Sequence, residues 1–203
     1  AGEFYLVERG LQEGERVVVN GNFRIDSTQQ LRAQRSMMNP AHDDATPPAA
    51  SLTAPAAFRT QLTQVVTAYL AVQQALSQDD LAAAHAHVKR TQRALAAMNM
   101  AALDAAAHDA WMPLHETQQT AWSALLDADE IDEARYHFAR ASDSVIAALT
   151  LFGHAGTSAL YIVHCPMALD DAGADWLQDT VQIANPYFGA AMLRCGAVTG
   201  ALE

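Results

Sequence analysis

The residues best suited to chemistry lie near the C-terminus, in two short clusters: His164-Cys165-Pro166-Met167 and Met192-Leu193-Arg194-Cys195-Gly196. Thiolate and thioether sulfurs are soft, polarisable donors that suit Cu(I) and Ag(I), with imidazole as a common further ligand. Cys165 and Met167 are two positions apart, so in an extended segment both sulfurs point the same way. Met192 and Cys195 are three apart, which on a helical turn also gives one face. The two pairs together make a mixed thiolate and thioether set for one ion. His164 is a possible further ligand, although strand alternation points it away from Cys165.

The same cysteines have a blander reading. They are the only two in the chain, and in an oxidising compartment a Cys165–Cys195 disulfide is the alternative to a metal. Such a bridge would close a loop of about 30 residues, worth roughly 3–4 kcal/mol in the chain-entropy picture. Free structural thiols are a third possibility. Met167 and Met192, taken singly, are packing residues.

A second group of soft side chains precedes these clusters. His108, Met112 and His115 follow one another at spacings of four and three, one face of a helix that continues through Pro113. They could form a Met/His copper site or complete the cysteine site; equally, Met98, Met100 and Met112 could fill core gaps while the histidines face solvent. His85, His87 and His42 read as solvated. No enzyme is expected. The chain has no glycine-rich phosphate loop, no Gly-x-Ser-x-Gly elbow and no His-Glu-x-x-His helix.

The elements that must position these residues are mostly helical. Residues 1–35 differ: Phe4 to Leu11 and Glu15 to Gly21 read as two short strands, a hairpin remnant of a larger sheet. Residues 36–56 read as a linker, with prolines at 40, 47, 48 and 55 among small and polar residues. From residue 57 the period becomes helical. Phe58, Leu62, Val65, Tyr69, Val72 and Leu76 share a face, as do Leu81, Ala84, Val88, Thr91 and Leu95. A third helix is expected over 101–126, kinked or restarted at Pro113. A fourth has the seam Ile131, Ala134, Phe138, Ala141, Val145, Ala148 and Phe152, and ends at Gly153. The expected fold is mainly α: an up-down four-helix bundle with an irregular C-terminal cap, spanning 57–203. In that cap Leu160 to Val163 reads as a strand, Gly173 to Gln178 as a turn plus a helical turn, and Asn185-Pro186-Tyr187-Phe188-Gly189 as a turn.

The formal net charge of −11 argues against nucleic acid and anionic lipid as partners. No apolar run is long enough to span a membrane. The opening residues already read as strand, so the chain looks like a fragment, without a visible signal peptide.

Four motifs in order, His164-Cys165-Pro166-Met167-Ala168, Gly173-Ala174-Asp175-Trp176-Leu177-Gln178, Asn185-Pro186-Tyr187-Phe188-Gly189 and Met192-Leu193-Arg194-Cys195-Gly196, resemble the C-terminal helical domain of periplasmic adaptor (membrane-fusion) subunits of heavy-metal RND efflux pumps. Residues 3–31, through Gly10-Leu11, Gly14-Glu15, Val17-Val18 and Phe23-Arg24-Ile25-Asp26-Ser27, are similar to the end of the adaptor's membrane-proximal β-domain. The resemblance implies a periplasmic protein of the copper/silver efflux type. Its implied partners are an RND pump, other adaptor protomers and a periplasmic metallochaperone. Its implied role is to bind Cu(I) or Ag(I) and hand it on or sense it. The alternative is a protein-docking module held by a structural disulfide.

Overall fold

The computed structural model describes residues 52–202. The expected hairpin remnant of 1–35, and the linker up to residue 51, lie outside the described residues. Four long helices follow: α1 Ala56–Ser77, α2 Leu81–Ala96, α3 Ala105–Asp127 and α4 Ile131–Phe152. Each packs on its sequence neighbours, and α4 returns to α1, closing an up-down bundle.

The seams explain the packing. On α1, Phe58, Leu62, Val65, Tyr69, Val72 and Leu76 are all buried, because spacings of three and four keep them on one stripe. Each such side chain contributes about 1.5–3 kcal/mol by leaving water. On α4, Ala134, Ala141 and Ala148 are fully buried and keep the helix close to its neighbours. Aromatic rings fill the rest: Phe58 meets Trp111 edge-on at 5.2 Å, and Tyr69 stacks on Phe138 at 5.2 Å.

The start of α3 differs from expectation, and of the two outcomes expected at Pro113 one is excluded. The helix starts at Ala105 rather than 101, because the Asp104 carboxylate accepts the Ala107 N–H at 2.8 Å and caps the helix there. The preceding Met100–Ala102 forms a single 3-10 turn. The helix also runs through Pro113 without a restart. Pro113 and Asp109, four residues before it, are both exposed, so water can satisfy the carbonyl that proline leaves without its helical partner.

The C-terminal cap is more regular than the sequence suggests. It contains a three-stranded antiparallel sheet of order β2-β1-β3. The strands are β1 Leu160–Cys165, β2 Ala174–Gln178 and β3 Ala197–Leu202. Residues 174–178 are therefore strand, not a helical turn. Pairing with β1, Val163 opposite Trp176 and His164 opposite Asp175, decides the conformation of so short a run. β2 packs on α1 and α4, and Trp176 and Leu177 are fully buried. One buried polar contact fixes the seat: the Leu177 N–H donates to the Tyr69 hydroxyl at 3.0 Å, and that hydroxyl is 2.7 Å from Ser142 Oγ. No described helix is long and apolar enough to cross a membrane.

Candidate metal centre

The sheet brings the two cysteines together. Cys165 ends the central strand, and β3 pairs with that strand with Ala197 opposite His164. In an antiparallel ladder the residues just before Ala197 therefore run beside Cys165. Gly196 and Cys195 occupy that approach, and the sulfurs of Cys165 and Cys195 are 3.3 Å apart. Cys165 is fully buried, whereas Cys195 is partly exposed. Both are free thiols.

Two hydrogen bonds hold Cys195 in place. Its N–H donates to the Met192 carbonyl at 2.9 Å, and its carbonyl accepts the Asn185 side-chain amide at 2.8 Å. Gly196 then lets the chain pass: its φ is +128°, and a Cβ there would meet the Trp176 ring at 2.8 Å and the His164 carbonyl at 2.9 Å. Asn185 is itself fully buried. Its Oδ1 accepts the N–H groups of Tyr187 at 2.7 Å and Phe188 at 3.2 Å, and its own N–H donates to the Leu193 carbonyl at 2.9 Å. One side chain thus joins the Asn185-to-Gly189 turn to the segment carrying Cys195.

The sulfur separation bears on both readings of the pair. It exceeds the roughly 2.05 Å of a disulfide. It is shorter than the roughly 3.8 Å that two thiolates span on a tetrahedral ion with metal–sulfur bonds of about 2.3 Å. Either outcome needs only a local shift, and Cys195, in its exposed turn, is the freer partner. Desolvation, then the hydrogen bond and charge of Cys165, push the Cys195 thiol up to about 11. An incoming ion must displace a proton from such a thiol, since the thiolate is the ligand.

The other candidates are placed less favourably. β1 ends at Cys165, and the chain turns at Met167. Met167 is 47% exposed while Cys165 is fully buried, so the two-residue spacing does not act as in an extended strand. Met192 is half-buried on the turn that leads to Cys195. His164 alternates to the opposite face from Cys165, where its Nδ1–H donates to Asp175 Oδ1 at 2.7 Å. An ionised carboxylate only accepts, which leaves Nε2 as the free ring nitrogen. That edge of the ring covers Gly173, where a Cβ would meet Cε1 at 2.9 Å.

The α3 trio straddles the border of the core. His115 is buried beside the Trp111 ring at 5.7 Å, and desolvation holds its imidazole below the usual range. His108 is half-buried and Met112 is 38% exposed. The trio sits on a helix other than the two that carry β2. Met98 is buried in the core and Met100 packs against it. Among the described residues, no three His, Cys, Asp or Glu side chains converge as a metal-binding group.

Sequence reasoning missed the clamps around the site. Arg135, buried on α4, donates from Nε to the Pro186 carbonyl at 2.9 Å and from Nη2 to Asp79 Oδ1 at 2.5 Å. Asp79 Oδ2 accepts the Ala190 N–H at 2.9 Å. These bonds seat the Asn185-to-Gly189 turn on the α1–α2 corner. The only available signal was the doublet Asp79-Asp80: Asp80 caps α2 through the Ala83 N–H, which leaves Asp79 for another role.

Residues 65–157 match a family described as "Protein of unknown function (DUF3347)". The match runs from within α1 to just past α4 and stops before Cys165, so the likeness concerns the bundle and not the sulfur pair. No curated protein and no solved structure matches the chain.

Proposed function

We propose that the chain binds a soft monovalent ion, Cu(I) or Ag(I), through the sulfurs of Cys165 and Cys195. The observation that carries this reading is the contact between two thiols, 3.3 Å apart, on separately anchored segments. Preorganised thiol pairs suit soft ions, because little ordering remains to be done when the ion arrives. The half-exposed turn at Cys195 provides an approach to the buried partner. In this reading the domain serves a periplasmic efflux adaptor of the heavy-metal RND type, as its motifs suggest. It would receive the ion, from a metallochaperone for example, and pass it to the pump or report its presence. The bundle supplies a rigid seat and carries out no catalysis.

The same contact favours one rival. If the pair is oxidised in its compartment, the cap is a disulfide-stabilised docking module for the pump or for another adaptor protomer. Alkylation of the reduced protein separates the two. With one equivalent of Ag(I), metal binding predicts protection of both thiols from alkylation, reversed by a competing thiol. Unchanged alkylation rates would reject it. A thiol count on protein taken directly from the periplasm tests the rival.

A further inference from the structure

We infer that the Cys165–Cys195 site holds its ion by two sulfurs alone, in a linear sulfur–ion–sulfur arrangement, and that this low coordination number selects Cu(I) and Ag(I) against Zn(II). The inference rests on the metal-binding reading above and adds the basis of its selectivity.

Structural zinc takes four ligands in a tetrahedron, and catalytic zinc takes three from the protein. The described residues place two thiols together and no third His, Cys, Asp or Glu with them. Each neighbour that might complete a shell is held elsewhere. His164 lies on the other face of β1, tied to Asp175 at 2.7 Å. Met167 turns out into solvent after the strand ends. Next to Cys195, Gly196 packs on Trp176, Val163 and the His164 carbonyl, and both side chains are fully buried and apolar. Met192 is nearest along the chain, but a neutral thioether is a soft donor that favours Cu(I) over zinc. Even with Met192 recruited, zinc would lack a fourth protein ligand and an anionic third one.

A linear site also fits the local freedom. In a linear arrangement the sulfurs lie a full two metal–sulfur bond lengths apart, so the pair must open from 3.3 Å. Cys165 is fixed within a strand paired on both sides. Cys195, partly exposed and outside β3, supplies the movement.

X-ray absorption at the copper edge tests this on the reduced full chain with one equivalent of Cu(I). The expected spectrum has two sulfur scatterers and no nitrogen, and is the same in Met192→Leu and His164→Ala. A third sulfur lost in Met192→Leu, or a nitrogen lost in His164→Ala, overturns the inference while leaving metal binding intact. Competition should show Zn(II) binding at least about 1,000-fold more weakly than Cu(I), as expected when a four-coordinate ion meets a two-ligand soft site. Zinc binding within tenfold of Cu(I) also overturns it. Failure of the chain to take up Cu(I) at all defeats the metal-binding reading itself, and the copper edge then shows only unbound ion.

Discussion

Asn185 donates its side-chain amide to the main-chain carbonyl of Cys195 at 2.8 Å, across ten residues and wholly inside the cap. The same side chain accepts two backbone N–H groups of its own turn. The position of Cys195, and with it the sulfur contact, therefore depends on a residue that is neither a ligand nor a neighbour in sequence.

Replacing Asn185 with Ala should strand one buried and one part-buried N–H group and one carbonyl. The expected cost is about 2–4 kcal/mol, measured by urea denaturation of the reduced protein. Cys165 should also alkylate faster under native conditions, because the segment covering it loosens. Unchanged stability with unchanged alkylation would show that Asn185 does not hold Cys195 in place.

Asp79 gives the cap an acid-sensitive latch. The Ala190 N–H, followed by the Arg135 guanidinium, holds its carboxyl below its ordinary value of 3.8 against an opposing desolvation effect. A carboxylate whose folded pKa is depressed contributes stability above its unfolded pKa and loses it as pH falls through the folded value. Asp79→Asn should therefore flatten the acid limb of the stability curve below about pH 4. Gly189→Ala attacks the same latch by sterics: a Cβ there would fall 1.8 Å from Asp79 Oδ1, at a φ of +54°. Limited proteolysis should then cut between residues 180 and 195 faster than in the native chain. Equal resistance in this variant would contradict the latch.

Gln118 on α3 is fully buried, and neither of its amide atoms has a hydrogen-bond partner among the described residues. Unmet amide groups in a core are costly, so the near-isosteric Gln118→Met should stabilise the bundle by about 1–2 kcal/mol. Thermal unfolding decides. A drop in the melting temperature would mean that the amide is satisfied within the core.

The helices were legible because their information is local. The seams from Phe58 to Leu76 and from Ala134 to Phe152 repeat every three or four residues, and burial follows that repeat. Of the kink and the fresh start that Pro113 suggested, the fresh start does not occur, since a proline on an exposed face costs a helix less than one facing the core. Strand β2 was hidden: Ala174 to Gln178 is too short to declare itself and takes its conformation from β1. The cysteines were legible as chemistry but not as geometry. Their contact depends on β3 pairing beside β1 with Ala197 opposite His164, a register no local pattern fixes. Met167 looked like a ligand for the same reason, and the end of β1 turns it elsewhere; strand alternation already pointed His164 away from Cys165, and the cross-strand Asp175 is what holds it there.

In the proposed function Cys165 and Cys195 together bind a soft monovalent ion. The most direct test is an anaerobic Cu(I) titration of the reduced full chain against a chromogenic chelator. The expected result is one ion per chain, with the sub-micromolar affinity of a preorganised thiolate pair, and loss of that affinity in both Cys165→Ser and Cys195→Ser. Copper left entirely with the chelator, or uptake that survives either serine substitution, would contradict it.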